Sequence, residues 1–245
     1  MSLGWDVRRF DEIDSTNRYL LEEARAGAPA GLVATAGYQT AGRGRLDRRW
    51  ESPPGTNVLV SFLLRPQCEP AQLHLGTAAV GLAAADACRD VAAVDARLKW
   101  PNDLVVGASK VAGVLAEVDF SGGTPAAVVV GLGLNVGWPG PPGAGGTSLA
   151  EARGSAVDPE AVLEGVLDAL APRVALLDEA AGRAALAEEQ RRRSATLGAR
   201  VRVTLAAGDV TGTARAIDDS GQLIVETAEG SRTVAAGDVV HLRPE

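Results

Sequence analysis

Residues 42–50 read Gly42-Arg43-Gly44-Arg45-Leu46-Asp47-Arg48-Arg49-Trp50, with four arginines in seven positions and glycines between them. A guanidinium offers a planar fork of donors to phosphate or carboxylate oxygens. Glycine lets backbone approach a ligand closely. The combination predicts an anion-binding loop suited to a polyphosphate, with a disordered basic loop as the alternative. The segment follows a predicted strand but opens no helix, so it is neither a P-loop nor a dinucleotide-binding turn.

Four further segments carry usable chemistry. Lys99-Trp100-Pro101-Asn102-Asp103 holds a lysine and an aspartate four apart, across a proline that enforces extended or turned backbone. Both can face one pocket, or close a surface turn with a weak salt bridge. Lys110 opens the otherwise apolar KVAGVLAEV, as a snorkelling edge residue or as a ligand. Asp14-Ser15-Thr16-Asn17 gathers four small polar side chains at a helix start, where capping accounts for one or two. Gly131-Leu132-Gly133-Leu134-Asn135 ends an apolar run in an amide that can donate and accept, as an adenine edge requires, or that serves a turn. Of 24 basic residues only Lys99 and Lys110 are lysine. Where any cation serves, this sequence uses arginine, so these two positions suit a compact ammonium. A GC-rich codon bias predicts the same scarcity.

These residues need elements to position them. Residues 15–26 read as a helix, capped by Ser15 or Asp14 and followed by Gly27. Residues 32–38 and 57–65 read as strands flanking the arginine loop, and 71–91 as a buried alanine-rich helix. Residues 97–106, 110–118 and 126–136 suggest an antiparallel hairpin or meander. Residues 137–146 carry no periodic pattern and read as a flexible loop. Asp158-Pro159 opens a helix that breaks near Pro172 and resumes to Arg191–Arg193. From Ser194 five short strand patterns, at 200–205, 209–217, 221–227, 231–235 and 238–242, suggest a small barrel. The expected class is α+β: a mixed β-sheet with flanking helices over residues 1–193, then a small β-barrel over 194–245.

Composition excludes several classes. The 245 residues are 46% apolar with a net charge of −7, and mean hydropathy is +0.06. That is a globular composition, not a disordered one, with no apolar run long enough to span a membrane. The acidic balance argues against general affinity for nucleic acid. Residues 1–10 show no signal sequence, and Cys68 and Cys88 have no metal or redox spacing. A cytoplasmic protein with free thiols is expected.

In this order and at these separations, DSTN, GRGR…R.W, KWPND, K.AG.L.E and G.G.NV resemble the biotin–protein ligases over nearly the whole chain. The resemblance implies a class II synthetase-like (biotin–lipoate ligase) catalytic domain and an SH3-like β-barrel. It implies a two-step acyl transfer. Biotin's carboxylate attacks the α-phosphate of ATP, with Mg²⁺, giving biotinyl-5′-AMP and pyrophosphate. A lysine of a biotin carboxyl carrier domain then displaces AMP. Ser15, Thr16, Asn17 and Gln39 would face the vitamin's head group or its carboxylate, Trp50 would wall its tail, and Gly44, Gly113 and Gly131 would offer backbone contact. Arg43, Arg45 and Arg48 would neutralise phosphates, Lys110 would bridge carboxylate and α-phosphate, and Asn135 would meet adenine. Lys99 and Asp103 would serve the second step. No protein-ligated metal is implied.

The family often has glycine where this chain has Asp47, a carboxylate that must point away from phosphate or pair with Arg48 or Arg49. Some family members repress transcription through an N-terminal winged helix. Here DSTN begins at residue 14, and no operator binding is expected. Lipoate and octanoate ligases or transferases of the same fold are the runner-up class, and a biotin-binding regulator is the non-enzymatic one. A monomer or a homodimer is compatible with the pattern.

Overall fold

The structure, a computed structural model, describes residues 4–46, 48–121, 124–205, 208–235 and 237–242. Asp47 lies outside the described residues.

The N-terminal part is built on a seven-stranded mixed sheet. In chain order its strands are β1 (Asp6–Ile13), β2 (Leu32–Gln39), β3 (Val58–Leu64), β4 (Arg97–Lys99), β5 (Asp103–Val106), β6 (Ser109–Ser121) and β7 (Thr124–Leu134). They lie in the order β1-β2-β3-β7-β6-β5-β4. β1 and β2 are parallel, which requires a crossover, and α1 (Thr16–Arg25) supplies it. The other pairs are antiparallel, and β4 to β7 form the expected meander. β1 has no counterpart in the sequence reading. DVRRFDEI is an edge strand with no fully buried residue, so it carries no apolar run to read.

The two faces of the sheet are covered differently. Val33, Val60, Phe62, Val130 and Leu132 face α2 (His74–Ala92), α4 (Pro159–Leu176) and α5 (Ala180–Arg192) in one large core. α2 is rich in alanine and glycine, which lets a helix sit close to a sheet. The alternate residues point to the opposite face, as strand geometry requires. There Ala34, Leu63, Ala127 and Val129 pack against Leu20, Leu21 and Ala24 of α1. α1 covers only part of this face. Further along the same rows the sheet carries Ser61, Gly131, Gly133 and Gly113, with Ser61 opposite Gly131 and Gly133 opposite Gly113. Small residues there leave a floor where a core would otherwise continue.

Three local expectations are corrected. Pro172 does not break its helix, because α4 runs through it to Leu176. The helix is held by buried Val162, Leu163, Val166 and Leu170 and by Arg173, which donates to the Ala169 carbonyl. A short helix, α3 (Leu149–Arg153), was not anticipated; Ser148 and Glu151 close a capping box at its start. Residues 137–146 form neither helix nor strand, yet they are tied down. Gly137 N–H donates to Thr56 O, and Lys110 N–H donates to Gly145 O.

The C-terminal strands are β8 (Arg200–Thr204), β9 (Val210–Ile217), β10 (Leu223–Thr227), β11 (Gly230–Val234) and β12 (Asp238–His241). They form one antiparallel sheet, β11-β10-β9-β8-β12. Its core of Val201, Val203, Leu223, Val225 and Val239 includes one residue from the other sheet's territory, Trp100.

Candidate functional site

The uncovered half of the α1 face opens into a cavity of about 910 Å³. All fifteen residues put forward from the sequence line it, although they come from six separate stretches of chain. Among the described residues, six cationic side chains line the cavity, Arg43, Arg45, Arg48, Arg49, Lys99 and Lys110. Only three carboxylates do, Glu51, Asp103 and Asp238. In a chain of net charge −7, that concentration makes the cavity a site for anions.

At one end lies a buried polar row. Ser15 caps α1, accepting from Arg18 N–H. Thr16 N–H donates to Gln39 Oε1 at 2.8 Å, and its hydroxyl lies 2.7 Å from Ser61 Oγ. Ser61 donates to Asn17 Oδ1 at 2.6 Å. Asn17 Nδ2 donates to Leu115 O and to Glu117 Oε2. A Cβ on Gly131 would come within 2.2 Å of Asn17 Oδ1, so the Asn17 amide occupies the space that this glycine vacates.

The arginine loop spans the cavity as a closed turn. Gly44 N–H donates to Arg48 O, Trp50 N–H donates to Gly42 O, and Arg43 bridges Arg49. Each arginine has its own protein acceptor. Arg43 donates to Glu117 Oε1 at 2.7 Å, Arg45 to Asn102 Oδ1 at 2.9 Å, and Arg49 to Thr40 O at 2.9 Å. Arg48 pairs with Asp238 of β12, so the C-terminal sheet reaches the loop directly. Trp50 lies flat over the glycine floor, where a Cβ on Gly133 would meet its indole at 2.3 Å and one on Gly113 at 3.1 Å. Its Nε1–H is buried and has no acceptor among the described residues. An orphaned buried donor there fits an anionic ligand oxygen.

Lys110 pairs with Asp103 at 2.6 Å and sits 5.6 Å from the Trp50 ring centroid. Lys99 and Asp103 are cross-strand partners in β4 and β5, but Asp103 turns to Lys110. Lys99 forms no ion pair among the described residues. Its charge falls on His241, whose pKa burial and Lys99 together hold below the usual histidine value.

Trp100 and Asn135 take on structural work. Trp100 lines the cavity but roots its side chain in the C-terminal core, where its indole N–H donates to Gly221 O and its backbone N–H to Thr196 Oγ1. The turn bearing Lys99, Asn102 and Asp103 is thus anchored in the second sheet. Asn135 Nδ2 donates to Pro139 O and Thr147 O, and its Oδ1 lies 3.4 Å from Asn57 Nδ2. Its amide is engaged on both sides, holding residues 135–147 against the cavity rather than presenting a free edge to a base. Sequence reasoning missed Ser61, Gly133 and Asp238 in the cavity lining, and Glu117 behind it. Only Gly133 and Glu117 left a signal, as letters of motifs whose partners could not be read.

Comparison with known proteins agrees with this geometry. Residues 10–135 match the Biotin/lipoate A/B protein ligase family, and residues 196–242 match the Biotin protein ligase C terminal domain. The chain is 39% identical to the biotin–[acetyl-CoA-carboxylase] ligase of Mycobacterium tuberculosis, over 98% of this chain and 91% of that one. The chain belongs to the biotin protein ligase family. It is also 36% identical to the biotin–[acetyl-CoA-carboxylase] ligase of Paracoccus denitrificans, over 92% of this chain and 96% of that one. Among solved structures, the biotin protein ligase of Aquifex aeolicus in complex with biotin and ATP superposes with a TM-score of 0.80 at 29% identity, covering 97% of this chain and 99% of that one. The α+β class, with its mixed sheet and its five-stranded antiparallel C-terminal part, is that of this family. Among the described residues no helix is long and apolar enough to cross a membrane.

Proposed function

We propose that this chain is a biotin–[acetyl-CoA-carboxylase] ligase. It joins biotin to ATP as biotinyl-5′-AMP, releases pyrophosphate, and passes the biotinyl group to one lysine of the carboxylase's carrier domain. The observation that carries this reading is the gathering of six cations over a glycine floor in an acidic protein. A carboxylate and a triphosphate repel one another, so a site that makes them react must first neutralise both.

Thr16, Asn17 and Gln39 offer an alternation of donors and acceptors for a ureido ring, with Ser15 beside them. Trp50 covers the tail, with its unpartnered N–H over Gly133. Lys110 exchanges Asp103 for the carboxylate and α-phosphate oxygens, holding charge as it moves from one to the other. An ammonium can meet both oxygens from one point. Arg43, Arg45 and Arg48 exchange their protein acceptors for phosphate oxygens, with Gly44, Gly113 and Gly131 allowing close backbone approach. Asn135 shapes the nucleotide end through the 137–147 segment. In the second step Lys99 keeps the arriving lysine in its neutral, nucleophilic form, and Asp103 orients it or accepts its proton. Mg²⁺ travels on the triphosphate. As part of the substrate it would be held chiefly by phosphate and water oxygens. Residues 1–193 act as the catalytic unit and 194–245 as the unit that seats the Trp100 turn and Arg48. We read the protein as cytoplasmic, without nucleic-acid or membrane partners, and as a monomer or homodimer.

Exchange of labelled pyrophosphate into ATP, with biotin, lipoate or octanoate supplied in turn, tests the reading. Biotin alone should support exchange, and Lys110→Ala should lower it about 100- to 1,000-fold. Exchange with lipoate or octanoate but not biotin would reassign the chain to the lipoate branch. No exchange with any of the three would leave a binding protein.

A further inference from the structure

Glu117 lies on β6 outside the cavity lining, and the reaction as derived above gives it no part. Its two carboxylate oxygens serve two different regions. Oε2 accepts from Asn17 Nδ2 at 2.8 Å, and Oε1 accepts from Arg43 Nη1 at 2.7 Å. Asn17 belongs to the polar row at the start of α1, and Arg43 is the first arginine of the anion loop. The row itself is continuous. Gln39 accepts from Thr16 N–H, the Thr16 hydroxyl donates to Ser61 Oγ at 2.7 Å, and Ser61 donates to Asn17. Gln39 is the last residue of β2, four positions before Arg43. The loop is therefore held at its start twice: covalently through Gln39, and through the chain of hydrogen bonds that ends on Glu117.

We propose that Glu117 is a positioning residue that couples the head-group pocket to the phosphate-binding loop. The proposal rests on the ligase reading and goes beyond it. A ligand that takes hydrogen bonds from Thr16, Asn17 and Gln39 reorients the Asn17 amide. Glu117 is the group that feels this, because Asn17 Nδ2 is one of its two partners. Its other partner, Arg43, is half-exposed, and a pair of that kind can shift without leaving a charge buried. Occupancy of one pocket therefore sets the placement of a guanidinium in the other. By linkage the reverse also holds, and nucleotide tightens the vitamin by the same factor.

The test is the affinity for biotin, by titration calorimetry on the full chain, with and without a non-hydrolysable ATP analogue. In the unaltered protein the analogue should tighten biotin about tenfold or more. Glu117→Gln keeps an oxygen for Asn17 but loses the charge that holds Arg43. Its affinity for biotin alone should stay within about threefold of the unaltered protein, while the coupling falls to within about twofold of none. Arg43→Gln should lose the same coupling, and Glu117→Gln combined with Arg43→Gln should lose no more than either alone. Undiminished coupling in Glu117→Gln, no coupling in the unaltered protein, or additive losses in the double variant would overturn the role. A fall in affinity for biotin alone as large as the fall in coupling would reduce Glu117 to a structural brace and overturn it as well. Failure of the unaltered protein to bind biotin at all would instead overturn the ligase reading on which the proposal stands.

Discussion

Two of the clusters in which arginine meets carboxylate differ in burial and in how many partners each group holds. Between α2, α4 and α5, Arg173 contacts Asp86 and Glu189 at 2.7 Å, and Arg193 contacts Asp86 at 2.7 Å and Glu189 at 3.4 Å. These side chains are 14–24% exposed, and every member is shared by two others, with Arg89 a third partner of Asp86. In the cavity, Arg43 and Arg48 are 50% and 65% exposed, and each has a single carboxylate partner among the described residues. Buried charges that share partners cannot let go without stranding another charge in low dielectric. Exposed charges with one partner each can exchange it for phosphate at little cost. The same pair of residue types is thus a fastening in one region and a replaceable counter-ion in the other. Glycines beside the loop arginines, against helix neighbours beside the buried ones, mark the difference.

The largest effect expected from this contrast is on stability. Asp86→Ala removes the acceptor that Arg173 and Arg193 share. It should cost about 3–5 kcal/mol, read as a fall in the thermal midpoint of roughly 10 °C. Pyrophosphate exchange per folded molecule, measured well below the transition, should be retained. Loss of exchange in fully folded Asp86→Ala would merge the two clusters into one functional unit.

Arg45→Gly should do the opposite. Its stability should change by less than about 1 kcal/mol, while the pre-formed adenylate should dissociate about tenfold faster, as expected for losing a charge-assisted bond. Adenylate synthesis should suffer less than retention. Equal loss in both rates would show that the loop assembles the reactants rather than clamping the product.

The smallest effect concerns pH. His74 and His241, the two histidines of the chain, both lie near the join between the two sheets. Burial holds both below the usual histidine pKa, joined at His241 by the charge of Lys99. A depressed histidine favours the fold while neutral. Its contribution is therefore complete above about pH 6.5 and is lost as pH falls from there toward the lowered folded values. Asp86 is also held low: Arg193 and Arg173 outweigh the upward push of its burial. Its contribution fades only below the ordinary carboxylate range. Thermal midpoints between pH 7 and 5 should decline, and His74→Asn with His241→Asn should flatten that decline. An unchanged slope would place the acid sensitivity elsewhere.

Local chemistry settled much of this protein before any coordinates. Ser15 as a cap, Asp158-Pro159 as a helix start, the all-apolar run of β3 and the short strands after residue 199 depend on neighbours within a few positions, so they are legible as letters. The same holds for the site's cast, since arginine between glycines and two solitary lysines are features of composition and spacing. What the chain order could not reveal is who faces whom. β1 has no apolar run because its stability comes from pairing with β2. Pro172 sits inside a helix because α4 is held by buried side chains and by Arg173. Trp100, one residue from a cavity lysine, fills the core of the other sheet. Gly133 is required by an indole 83 positions earlier, and Asp238 meets Arg48 from 190 positions away. Pairings of this kind are set by packing and by which charges the fold leaves near one another, and neither leaves a periodic trace along a single chain.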